Sequence, residues 1–117
     1  MIVSERLSLF ELNQKIQQLL ESSFITSVWV VAEISELKVN RSGHCYLELI
    51  EKDDNGNYPK AKARAIIWAW AFRMLKPFFE TTTGRNLSSG IKILVRCEIN
   101  YHPVYGLSLI VQDIDPS

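Results

Sequence analysis

The sequence is poor in the residue types on which most enzymatic chemistry depends. Histidine and cysteine each occur twice in 117 residues. His44, His102, Cys45 and Cys97 show neither CxxC nor HxxxH spacing, which excludes a zinc site. Both cysteines fall inside apolar alternating runs and read as buried, reduced thiols; spacing alone does not support a disulfide between neighbouring strands. Net charge is zero. That excludes a surface basic all over, but not a local basic groove. Long apolar runs are missing too. None approaches the ~20 residues of a membrane span, and Met1-Ile-Val-Ser-Glu-Arg6 lacks the basic and apolar regions of a signal peptide, so the chain reads as cytoplasmic with no membrane partner. Gly84-Arg-Asn and Gly90-Ile-Lys match neither a P-loop nor a GxGxxG turn, and no serine sits in a GxSxG elbow. Glu33 and Glu36 point to opposite strand faces, while Asp53 and Asp54 lie in a turn. We expect no catalytic residue, cofactor or metal in this segment.

What is present is a chain of single-domain size, 47% hydrophobic and 22% charged, enough for one core without staples. Ser8 and Glu11 form a capping box, and Leu7 can staple onto Leu12. Leu9, Leu12, Ile16, Leu19 and Leu20 then make one helical apolar stripe ending near Ser22, read as a plug for one end of the core. Its polar face is too poor in Lys and Arg for a membrane-surface helix. Residues 1–24 are thus a helical extension and 25–117 the main domain.

Val28–Leu37 alternates, with Val28, Val30, Ala32 and Ile34 on one face. A polar turn, Lys38–Ser42, leads to a second strand, His44–Glu51, with Cys45, Leu47 and Leu49 inward. Asp53–Asn57 is a dense turn signal before a third strand, Lys60–Trp68, with Ala61, Ala63 and Ala65 inward. Trp70–Phe79 is compatible with a short helix until Pro77, and Thr81–Gly90 reads as a flexible loop. Ile91–Ile99 and Gly106–Ile114 complete the set, with Leu107, Leu109 and Val111 inward on the last strand. The fold class is all-β with accessory helices: a five-stranded OB-fold Greek-key barrel with an N-terminal helix and a short helix between the third and fourth strands.

Strand alternation also sorts the outer face. His44, Tyr46 and Glu48 face out on the second strand, Lys62, Arg64 and Trp68 on the third, and Lys92 and Arg96 across the last hairpin. Aromatic plates beside cations are what single-stranded nucleic acid requires, since bases stack and phosphates need charge. Candidate contacts are therefore Tyr46, Lys62, Arg64, His44, Arg96 and Trp68. Each has a plainer reading. Tyr46 and Trp68 can cover the barrel, Lys62 and Arg64 can be a solvated face, and His44 after Ser-Gly can stabilise a turn. Arg73 and Lys76 read as soluble surface, Trp29 and Trp70 as packing that holds helices to the barrel, and Tyr101 as a hairpin clamp. Stacking tolerates any base, so no strong base preference is expected.

Several pieces together resemble the N-terminal domain of the exonuclease VII large subunit, a bacterial single-strand DNA nuclease. They are Leu9-Phe-Glu-Leu-Asn13 with Ile16 and Leu19-Leu20-Glu21; Val28-Trp-Val-Val-Ala-Glu-Ile-Ser35; Ser42-Gly-His-Cys-Tyr-Leu-Glu-Leu49; and Ile93-Leu-Val-Arg96 with Tyr101, Gly106, Leu109 and Val111 before Asp115-Pro116. The resemblance implies an OB-fold that binds single-stranded DNA and feeds a C-terminal nuclease domain absent from this chain, which reads as a piece of a longer subunit. It further implies a small helical partner subunit, held through that missing region. Ala32 stands where the family usually has Gly, the Asp53–Lys60 hairpin is longer than usual, and Ala69–Ser89 is longer and more aromatic. An OB-type protein-interaction domain and an anticodon-like RNA-binding domain remain as alternatives.

Overall fold

The computed structural model describes residues 5–116; the leader reading at Met1–Ser4 and the chain-end reading at Ser117 lie outside them. The elements are α1 (Leu9–Ser23), β1 (Val28–Val39), β2 (Cys45–Lys52), β3 (Pro59–Ile67), α2 (Ala69–Thr83), β4 (Lys92–His102) and β5 (Gly106–Asp115). The strands close into a barrel in the order β1-β2-β3-β5-β4, with β4 also pairing β1. All neighbours are antiparallel except β3 and β5, which meet over Ala65↔Leu109 and Ile66↔Ile110. This is the expected OB barrel with its two accessory helices.

Alternation sets the inner wall: Ala32, Ile34, Cys45, Leu47, Leu49, Ala65, Ile67, Ile93, Val95, Cys97, Leu109 and Val111 are all buried. Two bulges change its phase. Ser35 is extra between the pairs Ile34↔Leu49 and Glu36↔Glu48, so Leu37 turns inward opposite Leu47. Gln112 is extra between Cys97↔Val111 and Arg96↔Asp113, which brings Ile114 into the core with Val111. Ala61 and Leu107, expected inside, are exposed. The β3–β5 pairing ends at Ala65 and Leu109, short of both Ala61 and Leu107.

The plug expected of the first helix is supplied by the second. The capping box of α1 is present: Ser8 Oγ accepts from the Glu11 N–H at 3.1 Å, and Glu11 Oε1 accepts from the Ser8 N–H at 2.9 Å. The Ser8 backbone N–H, and next the Ser8 hydroxyl, hold the Glu11 carboxyl below its ordinary pKa. Yet α1 buries no residue. It lies against β4, where the Tyr101 hydroxyl donates to Asn13 Oδ1 at 2.7 Å, so Tyr101 clamps a helix rather than a hairpin.

The plug is α2, through Ala69, Ala71, Phe72 and Phe79. This helix does not stop at Pro77 but runs to Thr83. Proline removes the bond to the Arg73 carbonyl; both residues lie on the exposed face, where water can satisfy that oxygen. Gly84 ends the helix with φ 70°, in the left-handed conformation that favours glycine. The following loop is tied down. Glu80 Oε2 accepts from the Leu87 N–H at 2.9 Å, Leu87 is buried, and the Gly90 N–H reaches Ile34 O at 2.7 Å. Trp29 and Trp70, expected to pack, are 50% and 63% exposed. Trp29 falls in the outward phase of β1 opposite Arg96, and Trp70 is on α2 away from the buried phenylalanines.

Candidate nucleic-acid interface

The outer faces of β2, β3 and β5 form the floor of a cleft of about 680 Å³, walled by the ends of β1 and β4. Cross-strand register builds it in rows. Lys38, Tyr46 and Ile66 are successive partners, with Ile110 next across the parallel pair. Glu36, Glu48 and Arg64 form the row beside them. Ser108 and Gly106 on β5, opposite Asn100 and His102 on β4, extend the floor towards the hairpin tip, where Tyr105 joins the lining. The cleft therefore has an apolar floor at Ile66 and Ile110, aromatic side chains at Tyr46, Trp68 and Tyr105, and charged residues on both its β1 and β3 sides.

Of the six expected contacts, Tyr46, Arg64 and Trp68 line this cleft. Tyr46 is 42% and Trp68 37% exposed, enough ring surface to accept a stacking partner. The Arg64 guanidinium donates to the Tyr105 carbonyl oxygen, so it spans the cleft from β3 to the β4–β5 tip. Lys62 sits outside the lining, 3.7 Å from the Glu48 carboxylate that belongs to it.

His44 is placed behind the cleft. Its Nδ1 accepts from the Ala69 N–H at 2.9 Å, and its ring meets Trp68 edge-on at 5.0 Å and 84°. Trp68, the residue preceding α2, offers no side-chain cap, so His44 supplies the acceptor that the first turn needs. It positions Trp68. Gly43 permits this approach: its φ is 88°, and the position of its missing Cβ is 3.4 Å from Ala69 Cβ. Arg96 is separated from the cleft set. It pairs with Trp29 on β1 and Asp113 on β5, and its Nη1 donates to Gln112 Oε1 at 2.9 Å.

Sequence reasoning missed His102 and Tyr105, whose rings lie 4.6 Å apart at 32°. The His102 Nδ1 accepts from the backbone N–H of Val104 at 3.0 Å and of Tyr105 at 3.3 Å, fixing the hairpin tip. The available signal was an exposed Val104-Tyr105 pair in a turn, where polar residues are usual. Lys38 and Glu36, 3.9 Å apart, were also missed. Of Lys38 and Arg64, the cations on the β1 and β3 sides, Arg64 has no carboxylate partner among the described residues. Among those residues, no group of three His, Cys, Asp or Glu side chains could hold a metal. Among the described residues no helix is long and apolar enough to cross a membrane.

Comparison with known proteins gives two results. Residues 7–115 match the family described as OB-fold nucleic acid binding domain, a match that includes α1. The chain is 37% identical over 114 residues to the exodeoxyribonuclease 7 large subunit of Deinococcus radiodurans, covering 94% of this chain and 27% of that protein. It is 31% identical over 111 residues to the subunit of the same name from Haemophilus influenzae, covering 94% and 22%. The chain thus spans about a quarter of the length of the curated relatives it matches.

Proposed function

The chain belongs to the OB-fold nucleic acid binding domain family, and on that premise we propose that its outer cleft binds single-stranded DNA for a nuclease domain in a longer, cytoplasmic exonuclease VII-type large subunit. The observation that carries this reading is the cleft itself: exposed Tyr46 and Trp68, with Tyr105 at the rim, surround an apolar floor crossed by Arg64. Bases stack on such rings whatever their sequence, while a cation tracks the phosphates. A duplex hides its base faces and could use only the charge. In this reading residues 25–117 are the binding barrel and residues 1–24 a helical extension. Cleavage and contact with a small partner subunit reside in other parts of the longer protein.

Few cations line the cleft, so binding by the isolated chain is weak and falls with salt. Titrating single-stranded DNA, single-stranded RNA and duplex of equal length at several salt concentrations tests this. Single-stranded DNA binding above duplex supports it; equal or tighter duplex binding overturns it, and a clear RNA advantage moves the assignment to an RNA-binding module. A protein-docking role is favoured by a separate observation, the exposed Leu9, Leu12 and Leu19 of α1. That role requires partner binding to be lost when these leucines become polar, with DNA affinity unchanged.

A further inference from the structure

The cleft carries carboxylates where a purely phosphate-binding groove would not. Glu48 and Glu36 are direct partners across β1 and β2, and both line it. Like charges opposite each other destabilise a sheet, and both repel phosphate. Glu48 is held in place: its Oε1 accepts from the Ser35 hydroxyl at 2.8 Å and lies 3.7 Å from Lys62 Nζ. Ser35 is the bulge residue of β1, and its single hydroxyl proton is shared between Oε1 and the more distant Glu48 carbonyl oxygen at 3.2 Å. The irregularity in β1 thus fixes the orientation of this carboxylate. Among the described residues no hydrogen bond occupies Oε2. Glu48 pairs with Arg64 on β3 and is two residues from Tyr46 on the same strand. A base stacked on Tyr46 would present its hydrogen-bonding edge within reach of this side chain.

We propose that Glu48 reads the base edge in this cleft, favouring bases that present an amino group and rejecting thymine. The proposal rests on the nucleic-acid reading of the cleft. The chemistry is decided at position 4 of a pyrimidine. Cytosine carries an exocyclic amine that donates to a carboxylate; thymine carries a carbonyl oxygen that the carboxylate repels. Stacking area and phosphate charge are nearly equal for the two, so the difference isolates the edge contact. Glu51, on the same strand but outside the cleft lining and 3.3 Å from Lys60, serves as the control.

The experiment compares short oligodeoxycytidine, oligothymidine and oligodeoxyuridine, binding to the 117-residue chain at low salt and neutral pH. The uridine strand removes the thymine methyl as a variable. Cytidine should bind about tenfold tighter than either of the others, the lower end for a hydrogen bond to a charged group because the cleft is open to water. Glu48→Gln keeps the acceptor and adds a donor for the position-4 carbonyl, so the preference should disappear through gained thymidine affinity. Glu51→Gln should leave it in place. A strand with hydrogen at position 4 of each pyrimidine should fall between cytidine and thymidine with the unmodified protein, a result independent of how any variant folds. Affinities for cytidine and thymidine within twofold of each other overturn the inference and leave the binding function standing. A preference that survives Glu48→Gln in a folded variant also overturns it. Failure of every single strand to bind overturns both.

Discussion

Replacing Tyr46 by alanine separates binding from folding. Tyr46 is 42% exposed, while its strand neighbours Cys45 and Leu47 are 0% and 4% exposed. Its ring is on the outside of the barrel wall, between Lys38 and Ile66 in the ladder. Truncation opens no core cavity, so the stability cost should stay near that of a surface substitution, about 0.5–1 kcal/mol with the lost cross-strand contacts. Binding should respond differently. A base stacked on an aromatic side chain contributes about 1–3 kcal/mol by alanine substitution, roughly 5- to 150-fold in Kd. Trp68 and Ile66 remain to support the base, so about tenfold is expected. Fluorescence anisotropy with an end-labelled single strand gives the affinity, and thermal unfolding of the same preparation gives the stability. If Tyr46→Ala unfolds the chain at ambient temperature, or leaves per-molecule affinity unchanged in a folded protein, Tyr46 is packing and the cleft is not the binding surface.

Arg64→Ala should weaken single-strand binding most at low salt and flatten the salt slope by about one, whereas Arg96→Ala should leave both unchanged; titrations at three ionic strengths decide between them. Phe79→Ala removes a plug residue that is 6% exposed and should cost about 3–5 kcal/mol, while Leu9→Ala on α1, where Leu9 is 76% exposed, should cost about 0.5 kcal/mol or less; denaturant melts read both. Burial pushes the Cys45 and Cys97 thiols up to about 11 from an ordinary 9.0. The unfolded thiols ionise first, so stability should hold below pH 9 and fall between pH 9 and 11; melts across that range check the sign, and both thiols should resist alkylation at pH 8 until denaturant is added. Bonds to Lys76 and to the Leu87 N–H hold Glu80 below its ordinary pKa, so its contribution should be present at neutral pH and lost as acid protonates it, with amide exchange at Leu87 accelerating first.

Local pattern is enough to specify the barrel. Period-two alternation in five segments, the Asp53–Asn57 turn and the Ser8–Glu11 cap are local instructions, and each forms where its own residues direct. It also determined that Tyr46 and Arg64 share a face, because one face follows from one phase. Long-range packing settles whatever depends on which surfaces meet. An apolar stripe shows that a helix has a face to cover but not what will cover it, so α1 and α2 were distinguishable only once Phe72 and Phe79 had entered the barrel. Bulges at Ser35 and Gln112 carry no strong residue signature, yet they shift the phase that alternation extrapolates. Closure set the membership of the cleft. The parallel β3–β5 pair brings the β4–β5 tip, with His102 and Tyr105, beside Arg64, while β1–β4 pairing carries Arg96 to another wall. Those residues are brought together or parted by contacts between segments distant in sequence, and a local pattern does not encode that proximity.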